Sequence, residues 1–200
     1  EICRRSEKPI IVLKGGRSRK GAEAAMSHTA SLAGNRRIIE GALAQVGVIE
    51  THDFHQMTDF CRTLAMTNPP GERKERVAVL TFSGGAGIIS TDFIEEQKLS
   101  IAELAESTQA SLRELFPAWM PVADPIDLWP ALESHIGGNT DVYGRALTAV
   151  LADPGVDAVF LHTFAGNPHI RINIADLSQR IKAAGKPVVI WQVGRREEAF

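Results

Sequence analysis

Arg76-Val77-Ala78-Val79-Leu80-Thr81-Phe82-Ser83-Gly84-Gly85-Ala86-Gly87 decides the fold, because an apolar run ends in a glycine cluster just before Ile88-Ile89-Ser90-Thr91-Asp92-Phe93-Ile94-Glu95. The first seven residues read as a buried strand and the last eight as a helix, with residues 83–87 as the turn between them. Amides in such a turn lack intrahelical partners and sit at the positive end of the helix dipole. Ser83, Gly84, Gly85, Ala86 and Gly87 therefore form a candidate phosphate-binding site. Glycine lets the backbone approach a phosphate closely, and it equally serves any α/β protein that must turn tightly from strand to helix. The run is neither a Walker A loop nor a GxGxxG fingerprint, since no Lys-Ser/Thr pair follows and the glycine spacing differs.

Downstream the pattern keeps alternating. Leu99-Ser100-Ile101 is followed by a helix at 108–116, the loop Val122-Ala123-Asp124-Pro125-Ile126-Asp127-Leu128 and a helix at 143–151. The strand Val156-Asp157-Ala158-Val159-Phe160-Leu161, a helix at 172–184 and the strand Pro187-Val188-Val189-Ile190-Trp191 complete the run. Buried strands separated by helices imply a parallel sheet with right-handed crossovers. The expected fold is a flavodoxin-like three-layer α/β domain, with the glycine turn at the carboxyl end of its first strand, where open α/β sheets bind ligands.

Upstream, Pro9-Ile10-Ile11-Val12-Leu13-Lys14 has strand length, residues 35–45 have helical periodicity, and Val48-Ile49 starts a second short strand. Asp53 is expected to cap a helix with Phe54, Met57, Phe60, Cys61 and Leu64 on one face, broken at Asn68-Pro69-Pro70-Gly71. Two strands are too few for a sheet with helices on both sides. Residues 1–68 are thus expected to be the C-terminal part of one domain, residues 69–76 a linker, and residues 77–200 a second, nearly complete domain truncated at its C-terminus. Lys186-Pro187-Val188-Val189-Ile190-Trp191-Gln192-Val193-Gly194 echoes Lys8-Pro9-Ile10-Ile11-Val12-Leu13-Lys14-Gly15-Gly16, which suggests two related domains.

Ser27-His28-Thr29-Ala30-Ser31-Leu32-Ala33-Gly34 reads as a loop that surrounds one imidazole with small and hydroxyl residues. Ser27, Thr29 and Ser31 leave room and donors for an anion beside His28. Asp127 reads as a turn cap. His52, His55, His135, His162 and His169 have no ligand spacing with a carboxylate or cysteine, so surface or hydrogen-bonded core roles are expected and no metal site is. Trp119, Trp129 and Trp191 read as packing residues.

Composition sets the class. A 200-residue chain that is 44% hydrophobic and 23% charged is ordinary for a soluble globular protein. The net charge of −2 offers no electrostatic reason for nucleic acid or a membrane surface as partner. Absence of a signal peptide pattern or a long apolar stretch points to a cytoplasmic location, and Cys3 and Cys61 to reduced thiols rather than a disulfide scaffold.

In their order, these motifs resemble the NDP-forming acyl-CoA synthetases, the ADP-forming acetate–CoA ligase family related to succinyl-CoA synthetase. The resemblance rests on 8–18 leading to Ser27-His28-Thr29 and Leu32-Ala33-Gly34, then Ala44-Gln45-Val46-Gly47-Val48-Ile49. Ser83-Gly84-Gly85-Ala86-Gly87, Asp124-Pro125-Ile126-Asp127-Leu128 and Asp153-Pro154-Gly155-Val156-Asp157-Ala158-Val159 extend it. It implies a succinyl-CoA synthetase-like flavodoxin fold in both regions, with His28 as a transiently phosphorylated residue, Ser83–Gly87 as one of two phosphate-binding helix N-termini, and Gly15, Gly16, Ser27, Thr29 and Ser31 as loop support.

The implied reaction interconverts acyl-CoA, ADP and phosphate with a free acid, CoA and ATP through an acyl phosphate and the phosphohistidine. The resemblance further implies ATP or ADP with Mg, CoA and a small carboxylic acid as substrates of the full enzyme, none held tightly by this segment. CoA-binding and ATP-grasp domains in cis or on another subunit, and an oligomer, are expected as partners. By itself the segment is expected to be inactive. The competing expectation is a regulatory, ligand-sensing module of a fused protein acetyltransferase.

Overall fold

The computed structural model describes residues 2–6, 8–29, 35–66, 75–164, 170 and 172–194, with the side chains of Ile2, His28 and Thr29 left out. The chain divides into two compact units, Glu1–Pro69 and Pro70–Phe200. Among the described residues no helix is long and apolar enough to cross a membrane.

In the first unit the order is α1 (Ile2–Arg5), β1 (Ile11–Leu13), α2 (Arg19–Thr29), α3 (Arg36–Gln45), β2 (Ile49–Thr51) and α4 (Phe54–Met66). β1 and β2 pair in parallel, Ile11 opposite Ile49 and Leu13 opposite Thr51. Asn35 caps α3 by accepting from the Arg37 amide at 3.0 Å. At α4, Asp53 Oδ1 accepts from the Gln56 amide at 2.7 Å while Gln56 Oε1 accepts from the His52 amide at 2.7 Å, a reciprocal cap. The apolar face expected on α4 is not buried: Phe54, Phe60 and Cys61 are exposed, and only Met57 and Leu64 are half-buried. Two strands of three residues offer too little sheet to cover a 13-residue helix.

The second unit holds β3 (Arg76–Thr81), α5 (Gly84–Glu96), β4 (Ser100–Ile101), α6 (Glu106–Arg113), β5 (Ile126–Asp127), α7 (Trp129–Ser134), α8 (Val142–Ala152), β6 (Ala158–Phe164), α9 (Ile174–Ala184) and β7 (Val188–Val193). All are parallel, in the order β4-β3-β6-β7, with β5 also on β3. The sheet is the flavodoxin-like arrangement expected, and its two faces separate by alternation along each strand. Ala78, Leu80, Val159 and Leu161 turn to the main core, where α8 contributes a stripe from Val142 through Tyr143, Ala146 and Leu147 to Val150 and Leu151. Thr81 and His162 turn to α5, whose inner residues are Gly87, Ser90 and Ile94. Gly185 ends α9 at φ +64, the left-handed position a glycine adopts without strain.

β5 lies inside what reads as a loop. β4 pairs with the start of β3, Arg76 opposite Ser100, and β5 with its end, Leu80 opposite Ile126. Between them the Val79 amide has no strand partner on that edge, and Asp124 Oδ1 accepts from it at 3.2 Å. Among the described residues the other oxygen, Asp124 Oδ2, is buried with no hydrogen-bond partner. Burial accordingly raises the Asp124 carboxyl to about 7, with the Val79 amide opposing the rise.

Because this folded value lies above the unfolded one near 3.9, the native state holds the proton more tightly. The resulting stability is fully present below the unfolded value and is lost as pH rises through about 7. Asp124→Asn is therefore expected to flatten the decline in stability between about pH 4 and 7, where the parent loses up to about 1.4 kcal/mol per pH unit. Urea unfolding at several pH values checks it, and parallel profiles for parent and variant would contradict it.

Candidate functional site

The first turn of α5 is built directly on the end of β3. Ser83 is extended at φ −149° and ψ 119° and caps the helix, its Oγ 3.5 Å from the Ala86 amide. The Gly87 amide makes the first helical bond to the Ser83 carbonyl at 2.9 Å. The Ser83 amide donates to Thr81 Oγ1 at 3.0 Å. Among the described residues, the Gly84 and Gly85 amides have no hydrogen-bond partner.

The turn expected at residues 83–87 is thus a cap followed by helix, and none of its glycines has positive φ. What two of them supply is closeness. A Cβ on Gly87 would lie 3.0 Å from Pro125 Cβ and 3.1 Å from Thr81 Cγ2, so α5 rests directly on β3 and the 122–128 segment. A Cβ on Gly84 would lie 3.1 Å from Asp127 Oδ2, whereas one on Gly85 would meet nothing nearer than Ser83 Oγ at 4.0 Å. Gly85 is the exposed, open side of the turn.

Asp127 acts as the cap expected of it: Oδ1 accepts from the Trp129 amide at 3.0 Å at the start of α7. Its second oxygen faces Gly84, which puts a carboxylate beside the positive end of α5 and leaves the Gly85 side open. His162 takes the hydrogen-bonded core role. It is 1% exposed on β6, with Nδ1 3.0 Å from Thr81 Oγ1 and Nε2 3.2 Å from Ser90 Oγ. Burial lowers its pKa. Phe160 and Trp191 meet the ring edge to face at 4.5 and 5.0 Å. Nothing in the local sequence flags His162, since its hydroxyl partners lie 81 and 72 residues away. The three tryptophans expected to pack are instead exposed, Trp119 at 72%, Trp129 at 39% and Trp191 at 48%, although Trp191 keeps its ring contact to His162.

In the first unit, Ser27, His28 and Thr29 do not lie in a loop but close α2. Ala22, Ala24, Ala25 and Met26 are strong helix formers that carry the helix into the small polar residues, and Ser27 Oγ donates back to the Ala24 carbonyl at 2.8 Å. The side chains of His28 and Thr29, together with Ser31, Gly34 and His169, lie outside the described residues. Gly15 and Gly16, the latter at φ +75, turn the chain from β1 toward α2. They line an open cleft of about 980 Å³ with Arg17, Arg36, His52, Phe54 and Met57. There Arg17 Nη1 lies 2.7 Å from His52 Nδ1. Among the described residues no cluster of His, Cys, Asp and Glu is arranged to hold a metal ion.

Residues 1–64 match the family described as succinyl-CoA ligase like flavodoxin domain. The ADP-forming acetate–CoA ligase II of Archaeoglobus fulgidus is 32% identical over 200 residues, which span 100% of this chain and 29% of the relative. The alpha subunit of the ADP-forming acetate–CoA ligase II of Pyrococcus furiosus is 37% identical over 164 residues, 80% of this chain and 34% of the subunit. A solved structure of the dinucleotide forming acetyl-coenzyme A synthetase 1 of Ca. Korarchaeum cryptofilum, in complex with phosphate and ADP, superposes with a TM-score of 0.80 at 33% identity. It covers 99% of this chain and 41% of that one. The chain spans about three tenths of the length of these curated relatives. Parallel sheet, ordered motifs and sequence agree: the chain is similar over its whole length to the ADP-forming acetate–CoA ligases, and its residues 1–64 to the succinyl-CoA ligase like flavodoxin domain.

Proposed function

We propose that this chain is the phosphoryl-carrying part of an ADP-forming acid–thiol ligase. In it an acyl-CoA, phosphate and ADP are interconverted with a free acid, CoA and ATP by way of an acyl phosphate and phosphorylated His28. The observation that carries the reading is the pair of unpartnered amides of Gly84 and Gly85 at the capped start of a 13-residue helix, in a chain similar throughout to ADP-forming ligases. Such donors stabilise the charge of a transferring phosphoryl group without reorganising. A neutral imidazole is a competent acceptor for that group near neutral pH.

His28 closes α2 in the segment that also holds Gly15, Gly16, Ser27, Thr29 and Ser31, which in this reading support the carrier. Ser83, Gly84, Gly85, Ala86 and Gly87 form the phosphate cradle. The CoA-binding and ATP-grasp functions belong to other domains or subunits of the full protein, which works in the cytoplasm as an oligomer on a small carboxylic acid. Mg accompanies the nucleotide. In this reading residues 1–68 are the latter part of one succinyl-CoA synthetase-like domain, 69–76 a linker and 77–200 the second domain. The relatives named above are ligases, so nothing in them favours a regulatory module fused to an acetyltransferase.

Full-length protein incubated with labelled ATP is expected to acquire an acid-labile, base-stable label that a chase with unlabelled ADP removes. A protein that takes up no such label, with or without acid and CoA, would overturn the proposal.

A further inference from the structure

The buried imidazole beneath α5 sits in a hydrogen-bond arrangement that a neutral ring cannot complete. Thr81 Oγ1 donates to the Ser83 carbonyl at 2.9 Å, and Ser90 Oγ donates to the Ala86 carbonyl at 2.8 Å. Each hydroxyl has one proton, so with those bonds made each meets the ring only as an acceptor, Thr81 at Nδ1 and Ser90 at Nε2. Two acceptors facing two ring nitrogens call for an N–H on both. A neutral imidazole has one, so in the neutral state one hydroxyl turns its proton onto the ring and releases its carbonyl. Both carbonyls belong to the cap and first turn of α5.

The charge that would complete the arrangement is opposed by burial alone. Toward the ring, β3 presents Thr81, α5 presents Ser90 and β7 presents Trp191, none of them charged. The acidic residues of α5, Asp92, Glu95 and Glu96, are exposed, and Arg76 of β3 is paired with Asp157.

We propose that His162 is the positioning residue of the α5 anion site, bracing its first turn from beneath and taking up a proton when an anion docks on the Gly84 and Gly85 amides. The inference rests on the reading of residues 83–87 as an anion site. An anion there supplies negative charge at the turn that Thr81 and Ser90 tie to the ring, which favours the imidazolium. The imidazolium in turn completes both hydroxyl-to-carbonyl bonds and holds the turn in its anion-binding form. Coupling of this kind is reciprocal: the factor by which the anion raises proton affinity is the factor by which the proton raises anion affinity.

The test uses the 200-residue chain and inorganic sulfate, which unlike phosphate does not itself titrate between pH 5 and 8. Ring resonances of His162 and amide resonances of Gly84 and Gly85 are followed by NMR across that range, with and without sulfate. The expected result is that saturating sulfate raises the His162 pKa by about one unit and that sulfate binds about tenfold more tightly at the acid end. His162→Gln, which retains hydrogen-bonding groups but no titration, is expected to lose that pH dependence. Sulfate that moves the Gly84 and Gly85 amides while His162 keeps its pKa would overturn this inference and leave the anion site standing. Sulfate that leaves those amides unmoved would overturn both. The parent titration decides the matter even if the variant does not fold.

Discussion

Gly85→Val in the full-length protein is expected to lower phosphoenzyme formation about 100- to 1000-fold, the loss typical when one preorganised donor to a developing charge is removed. Stability should stay within about 0.5 kcal/mol of the parent, as for surface substitutions that disturb no special feature. The contrast comes from the surroundings of one residue. A Cβ on Gly85 meets only Ser83 Oγ at 4.0 Å, and the backbone there is helical, so the side chain fits but stands over the open amides. Gly87→Val is the control with the opposite signature. Its Cβ would press on Pro125 and Thr81 at 3.0 and 3.1 Å, and overpacking of that kind costs about 1–3 kcal/mol. Rapid-quench labelling with ATP beside urea unfolding separates the two. A folded Gly85→Val protein that phosphorylates at the parent rate would show that the turn is only structural.

Leu147→Ala carries the largest expected loss of stability, about 2–5 kcal/mol. Leu147 is 0% exposed at the centre of the α8 stripe, in the cluster that joins α8 to Leu80 of β3 and Leu161 of β6. Truncation removes its transfer energy and leaves a cavity walled by strands that cannot follow inward. Against total stabilities of about 5–15 kcal/mol, that is a large share. Urea unfolding of the same chain checks it, and a loss below about 1 kcal/mol would mean that this core collapses around the gap far more than close-packed sheet interiors do.

The sheet of the second unit was legible because β3, β6 and β7 are apolar runs of strand length punctuated by glycine, proline and helical stretches, and the parallel sheet follows from that rhythm. β5 was not. A two-residue strand exists only through its pairing with Leu80 and Thr81, which no local pattern encodes. Ser27 to Thr29 read as loop because small polar residues carry loop statistics, while the alanines preceding them had already committed the backbone to helix. The strand-to-helix turn at residues 83–87 was legible as such from its glycines, two of which serve close packing against Pro125 and Asp127. His162 was hidden by its own strand, where alternation marks a buried position and says nothing of hydroxyls waiting on β3 and α5.

Similarity to the ADP-forming acetate–CoA ligases leaves one claim of the proposed function above the others, that the phosphoryl group travels on His28. Mass spectrometric mapping of the full-length protein, quenched in base after brief exposure to ATP, tests it most directly. The expected result is a phosphate on the His28 imidazole, absent from His28→Ala. A phosphate mapped to any other residue, or label persisting in His28→Ala, would contradict it.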